Sequence, residues 1–166
     1  MPITYEKIQS TTLGSANNQI QFTSIPGTYT DLRIVLVAQS VSDNDTGMRF
    51  NSDSGSNYSA TIIYGNGTSA ASSRASNQNS IPFFATALPI SPNWGLITID
   101  VFSYAGSTNK TCLTTVAHDK NGAGAIESNV ALWRNTAAIT SITLFQQSSG
   151  TFATGSTATL YGILKA

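Results

Sequence analysis

Alternation of apolar and polar side chains is the dominant pattern along this chain, and it is clearest at residues 157–164. Thr, Tyr and Ile side chains fall on one face there, and the other face comprises Ala158, Leu160, Gly162 and Leu164. This period of two predicts a half-buried strand, and its β-branched residues favour the pleated conformation. Because a sheet closed by such a strand is incomplete without it, we expect a truncation at Gly155 to unfold the domain.

The same alternation predicts strands along the rest of the chain, with turn-rich segments between them and no helix. Tyr5–Thr12 is the weakest of them, and Asp31–Ala38 is apolar on both faces, which predicts a central strand covered on both sides. The remaining predicted strands are 19–23, 48–50, 58–64, 81–84, 96–104, 111–118, 127–133 and 138–145. About nine or ten short strands predict an all-β, antiparallel β-sandwich of the jelly-roll-like kind.

The predicted sandwich occupies residues 1–166 as a single domain, with residues 1–15 as an N-terminal arm or edge strand. Residues 65–80 lack periodicity and carry one charge, so they predict a long loop, and loops of this length are usually functional. We therefore take this loop, together with a tryptophan predicted to be exposed, as a candidate partner or ligand surface. Its candidate residues are Asn66, Ser69, Arg74, Asn77 and Trp94.

The surface chemistry is unusual, because charged residues make up only 10% of the chain, against about 25% in an ordinary soluble domain. Ser, Thr and Asn carry the solubility instead, and they cost little side-chain entropy when they are fixed at an interface. Such a surface suits a body packed among many neighbours. An ordinary secreted β-domain fits the composition equally well.

Charge and hydropathy exclude several classes of partner. Eight basic and eight acidic residues cancel without any run of like charge, whereas a nucleic-acid groove needs a concentrated basic stripe. No apolar stretch approaches the roughly 20 residues of a membrane span. The N-terminal residues lack the apolar core of a signal peptide, and Cys112 has no second cysteine for a disulfide. We expect no nucleic acid and no membrane among the partners, and synthesis in a cytoplasm.

Catalytic and metal sites are weakly indicated. His118 beside Asp119 is the one histidine–carboxylate pair, but no Gly-x-Ser-x-Gly elbow accompanies it, so we expect no enzyme and no cofactor. One histidine and one cysteine do not make a zinc site. Six residues have side-chain oxygens suited to binding calcium, but turns favour the same residue types, and turn formation is the preferred interpretation. They are Asp43, Asn44, Asp45, Asn51, Asp53 and Asn57.

The aromatic residues leave a further alternative open, since exposed rings in a β-sandwich can stack on sugars. Trp133 lies in a strongly alternating segment, which predicts a core or subunit-interface position. Trp94, between Asn93 and Gly95, is predicted to be exposed. Aromatic side chains are more often packed than ligand-bound because each buries a large apolar area. Sugar binding is therefore kept as the weaker alternative.

Four segments carry a resemblance to a known group of proteins: FTSIPGTYTDL at 22–32, RFNSDSGSNYS at 49–59, LWRNTAAITSI at 132–142 and GSTATLYGI at 155–163. In this order along most of the chain, they resemble small structural virion proteins of tailed phages, including cyanophages. The resemblance implies a jelly-roll-like body, often a homotrimer, made in the bacterial host cytoplasm and located in the virion. It implies either decoration and cementing of the capsid or a place in a tail or fibre.

Head decoration is the favoured role, because the chain lacks the heptads and repeats of a fibre shaft. In this hypothesis trimers bridge neighbouring units of the major capsid protein, and the 65–80 loop or the N-terminal arm touches the shell. The alternative is a tail or head-fibre module that binds a host receptor or glycan, or contacts other virion proteins. A cellular lectin-like domain is a third interpretation.

Overall fold

A computed structural model describes residues 4–42, 44–83 and 88–164, and this part of the chain forms twelve strands. No helix in it is long and apolar enough to span a membrane. The strands are β1 Tyr5–Thr12, β2 Gln19–Phe22, β3 Asp31–Ala38, β4 Thr46–Phe50, β5 Tyr58–Gly65, β6 Ala70–Gln78, β7 Ile81–Phe83, β8 Gly95–Phe102, β9 Lys110–His118, β10 Ala125–Trp133, β11 Ile142–Gln146 and β12 Thr157–Ile163.

The strands form two sheets that pack face to face. The large sheet has eight strands in the order β1-β12-β3-β8-β9-β10-β5-β6, and the small sheet has four in the order β2-β11-β4-β7. Every pairing between these strands is antiparallel. The predicted all-β, jelly-roll-like antiparallel sandwich is confirmed, and the strand count exceeds the expected nine or ten mainly because β6 was not predicted.

The core lies between the sheets and is built from alternate residues of each strand. On the large sheet, cross-strand partners such as Ile34 and Ile99 are fully buried. The small sheet contributes Phe22, Phe50 and Leu144 from its inner face. Burying one such side chain contributes about 1.5–3 kcal/mol, so this interdigitated layer is the main source of stability. Of the two positions predicted for Trp133, core or subunit interface, the structure shows the core, since this residue is only 1% exposed.

β12 lies inside the large sheet, between the edge strand β1 and β3. The predicted half-buried strand is confirmed, and the face with Ala158 and Leu160 is the inner one, because both residues are completely buried and Leu160 pairs with Ile34. Gly162, on the same face, lies under the ring of Tyr29, and a side chain there would collide with that ring. The strand therefore joins one edge of the sheet to its centre.

β3 differs from the prediction of a strand covered on both sides. Leu32, Ile34 and Leu36 are buried, but Val37 on the opposite face is 40% exposed. The apolar residues on that second face therefore belong to an open surface of the large sheet. In the connection between β9 and β10, Asn121 and Gly122 have positive φ, 63° and 93°, a conformation that an Asn-Gly pair readily adopts in a hairpin turn.

Residues 49–59 and 132–142, two of the segments that carry the resemblance, meet at one end of the sandwich. The side-chain oxygen of Asn51 accepts hydrogen bonds from the Thr140 amide at 2.8 Å and the Ser141 amide at 3.1 Å, and its Nδ2 donates to the Ala138 carbonyl at 2.8 Å. These bonds hold residues 138–141 as a connection between the two sheets. The predicted strand at 138–145 therefore begins only at Ile142.

Asp53 closes the same corner from the other side. Its carboxylate accepts hydrogen bonds from Trp133 Nε1 at 2.7 Å, Asn57 Nδ2 at 2.9 Å and the Gly55 amide at 2.8 Å. Burial pushes the pKa of Asp53 upward, but these hydrogen bonds outweigh it and leave the pKa below its usual value. The ionised carboxylate therefore stabilises the fold.

This carboxylate predicts an acid-sensitive contribution to stability. Because the folded-state pKa lies below the unfolded value of about 3.9, the contribution is present above about pH 4 and is lost as the pH falls through the folded-state pKa. We expect Asp53→Asn to lower stability at pH 7 by about 1.5–3 kcal/mol, the range for hydrogen bonds to a charged group. Thermal melts between pH 7 and pH 2 should show that the difference in melting temperature between Asp53→Asn and the native protein becomes smaller as the pH falls.

The matched control is Asp119→Asn, in the exposed turn after β9. Asp119 accepts a hydrogen bond from the Gly122 amide at 2.8 Å, and an asparagine side-chain oxygen can accept the same bond. This variant should melt like the native protein at pH 7. If the difference in melting temperature between Asp53→Asn and the native protein stays constant down to pH 2, the stabilising role assigned to the ionised Asp53 carboxylate is contradicted.

Candidate functional site

The predicted loop at residues 65–80 is wrong, because most of it is the strand β6. β6 pairs with β5 in an antiparallel hairpin, with Gly65 opposite Ala70 and Thr61 opposite Arg74. Nearly all of its side chains are exposed, on both faces. Because neither face of β6 is buried, its sequence does not alternate between apolar and polar residues. The strand is held by backbone hydrogen bonds to β5.

Three of the five predicted site residues have structural roles in and around this hairpin. Asn66 lies in the turn before β6, where its Oδ1 accepts hydrogen bonds from the amides of Thr68 at 3.0 Å and Ser69 at 2.9 Å. Asn77 lies near the opposite end of β6, where its Oδ1 accepts from Arg134 Nη2 at 2.8 Å. These contacts fix the two ends of the hairpin.

The other two predicted residues have side chains on open parts of the surface. Arg74 lies on β6, opposite Thr61, and lines an open groove of about 330 Å³. Trp94 is 45% exposed, as predicted, and its ring lies beside Gly155. Trp94 immediately precedes β8, and β9 and β10 separate that strand from β5. The structure does not gather the five residues into one site.

The surface that does stand out is the outer face, defined as the side of the large sheet turned away from the small sheet. It carries large apolar side chains that are 40–61% exposed: Val37, Ile63, Leu96, Phe102, Leu113, Ile126 and Val130. The strand register makes them neighbours, since Val37 lies opposite Leu96 and Leu113 lies opposite Val130. Apolar surface clustered in this way marks an interaction site more often than isolated residues do.

Two shallow grooves run along the outer face near β6. The larger has a volume of about 550 Å³, and Ile63 and Ile126, the most exposed large apolar residues, line it together with Gly65 and Ala70. The smaller, which contains Arg74, is also lined by Val130 and Leu132. The small residues of β6 leave this part of the face concave and apolar.

Charge is sparse on the central strands of the outer face. On strands β5, β8, β9 and β10, all of which are fully described, its one ionisable side chain is Asp100. Arg33 of β3 donates two hydrogen bonds to this carboxylate, at 2.5 and 2.7 Å, and these bonds raise the pKa of Arg33 further above its usual range. The two charges neutralise each other, so the centre of the face carries no net charge.

The candidate catalytic and metal residues lie elsewhere. The Cys112 thiol is buried in the core, and burial raises its pKa to about 12, so it is not a thiolate at neutral pH. Among the described residues, no three His, Cys, Asp or Glu side chains are grouped to hold a metal ion. Of the calcium alternatives, Asn51, Asp53 and Asn57 make the corner hydrogen bonds described above, which fits turn chemistry, and Asp43 lies outside the described residues.

The apolar outer face was missed at the sequence level, although a signal for it exists. Leu96, Leu113 and Val130 occupy positions where a strand with one solvated face normally places polar residues. The apolar second face of 31–38 belongs to the same signal. It was interpreted as burial within the domain, whereas in the structure it faces outward.

Comparison with models of known protein families finds no match for this chain, and a search of curated proteins finds no similar sequence.

Proposed function

We propose that this chain is a structural protein of a tailed-phage virion, and within that class a head-decoration protein that cements the capsid. The observation that carries the proposal is the outer face of the sandwich, which is rich in exposed apolar side chains and has no net charge at its centre. A surface of this kind is suited to adhesion between protein bodies, because burying it releases water from apolar groups without desolvating unpaired charge. The sequence resemblance supplies the virion context.

The low charge of the whole chain supports the same role. Few long charged side chains have to be immobilised when copies or neighbours pack together, so the entropic cost of forming contacts is small. The proposed partners are further copies of the chain, as a homotrimer, and the major capsid protein. A protein that binds only the assembled shell stabilises it by mass action, and this is how cementing would act.

The test compares phage particles that carry the protein with particles from which its gene has been deleted. We expect immunogold labelling of the head surface on the former, and release of DNA at a lower temperature from the latter. Adding the purified protein back to deleted particles should restore the native release temperature. Labelling confined to the tail, or an unchanged release temperature, would rule out cementing.

A second candidate function, a receptor- or glycan-binding module on a tail or head fibre, is favoured by the exposure of Trp94. An exposed indole beside a glycine can stack on a sugar ring. Trp94→Ala should then abolish binding on a glycan array. Ile90→Ala is the matched control, since Ile90 is equally exposed at 45% and lies close by in sequence. The absence of any glycan binding by the native protein would remove this candidate.

A further inference from the structure

We propose that the outer face of the large sheet is the surface that a second copy of this chain covers, an inference that rests on the proposed structural role and names its contact. The central residues of this contact are Leu113, Ile126 and Val130, with Ile63 and the large groove beside them.

The area of the face matches what a stable contact between two proteins needs. Eight strands about 4.8 Å apart span about 34 Å, and eight residues rising about 3.3 Å each span about 26 Å. The face therefore covers roughly 900 Å², and a standard interface buries about 800 Å² on each partner. A capsid contact made through loops alone would leave this area in water.

Polarity is distributed over the face as it is in protein interfaces, with an apolar centre and a polar rim. The centre is formed by β8, β9, β10 and β5, which carry six of the exposed apolar residues: Ile63, Leu96, Phe102, Leu113, Ile126 and Val130. Toward the β1 edge hydroxyl groups appear: Ser10 is bonded to Thr159 at 2.9 Å and Thr12 to Thr157 at 3.0 Å, and at the other end of these strands the rings of Tyr5 and Tyr161 are stacked. The charged side chains Lys7 and Arg74 lie on the edge strands β1 and β6.

Charge favours a copy of the same chain over a strongly charged partner. Two identical surfaces normally repel each other wherever one sign of charge dominates, but here the central pair, Arg33 and Asp100, is neutralised within the face. A copy therefore meets no like charge at the centre. An acidic or basic partner would lose hydration there without gaining an ion pair.

The outer face carries both protruding side chains and a groove that such side chains can fill. Ile63 and Ile126 are 61% and 58% exposed, and the groove of about 550 Å³ lies directly beside them. Protruding isoleucines on one copy can fill the groove of the next. If the same patch meets itself, a dimer forms, and if the patch meets a neighbouring surface in a closed ring, the result is the expected homotrimer.

The test is sedimentation velocity of the purified full chain over a range of concentrations, with the single variants Ile126→Glu and Val130→Glu. The native protein should be an oligomer, and each variant should weaken self-association by at least about 30-fold, the effect of losing one central contact residue. Val41→Glu is the matched control, because Val41 is 54% exposed but lies in the loop after β3, outside the outer face. It should leave the oligomer unchanged.

Folding of each variant is checked by its thermal melt, since substitutions at exposed strand positions should leave the fold intact. Cross-linking gives an independent measurement: where the same patch of two copies meets, Ile126→Cys should form disulfides between the copies on oxidation, while the native Cys112 is buried. A native protein that stays monomeric at high concentration would overturn the inference, and so would glutamate variants that associate as the native protein does.

These outcomes separate the inference from the proposed function. A monomer found on phage heads would refute the contact between copies and leave head decoration standing. An oligomer that dissociates with Val130→Glu but is absent from particles would support the contact and refute the virion role.

Discussion

A chain that stops at Gly155 is expected not to fold. It lacks β12, whose Ala158 and Leu160 are fully buried and which pairs with β1 on one side and β3 on the other. Its removal leaves β1 without a partner and opens the core beside Ile34. A native domain is stable by only about 5–15 kcal/mol in total, and losing an internal strand exceeds that margin. Circular dichroism should show the loss of strand signal and of any cooperative melt.

The matched control is a chain that begins at Leu13 and therefore lacks β1. Because β1 is an edge strand paired only with β12, its loss removes one ladder and leaves the central strands intact. This shorter chain should fold and melt cooperatively at a lower temperature. A cooperative melt of the chain ending at Gly155 would contradict the assigned role of β12.

The second large effect is expected at Asn51, which joins the two resembling segments at the corner. Asn51→Ala removes four side-chain hydrogen bonds, one to Ala138, two to Thr140 and one to Ser141. The three that involve backbone groups are the shorter ones and contribute about 1 kcal/mol each. Asn51 also has a φ of 50°, a region that costs alanine about 1 kcal/mol or more. We expect a loss of about 4 kcal/mol in the free energy of unfolding, measured by urea denaturation.

Two further variants separate these contributions. Asn51→Gly removes the hydrogen bonds without the backbone strain, so it should destabilise the protein by less than Asn51→Ala. Asn51→Asp keeps an acceptor for the Thr140 and Ser141 amides and should be the mildest of the three. Equal effects of all three substitutions would show that the side-chain hydrogen bonds at this corner contribute little.

The segments 49–59 and 132–142 meet at the corner between the two sheets and have a structural role there. Asn51, Asp53 and Trp133 within these segments hydrogen-bond to fix the corner between the two sheets. Residues that hold such a corner specify the fold and say nothing direct about a partner. The proposed virion role therefore depends on the outer face and on the resemblance of the chain as a whole.

Alternation gave the sandwich and most strands correctly because, in a half-buried strand, one side chain in two must be apolar. It failed at β6, where neither face is buried and backbone pairing with β5 alone defines the strand. It also failed at residues 138–141, where side-chain hydrogen bonds from Asn51 replace the strand. A single sequence does not show which distant backbone group or side chain will form hydrogen bonds with the backbone of such a segment.

The candidate site shows the same division. The sequence predicted the exposure of Trp94 and limited Trp133 to the core or a subunit interface, since each depends on the local pattern. It did not predict the outer face, because Leu113 and Val130 are far apart along the chain and become neighbours only through the pairing of β9 with β10. The sequence therefore shows individual apolar residues at solvent-side positions, but it does not show that they form one surface.

By itself the sequence determined the class of fold, the alternating faces of β12 and the low charge of the surface, because these follow from the order and chemistry of neighbouring residues. Only the tertiary structure decided that Arg33 and Asp100 neutralise each other, that β6 is an edge strand, and that the exposed apolar residues share one face. The physical reason is that these properties depend on pairing between strands distant in sequence. Such pairing is selected by the packing of the whole core.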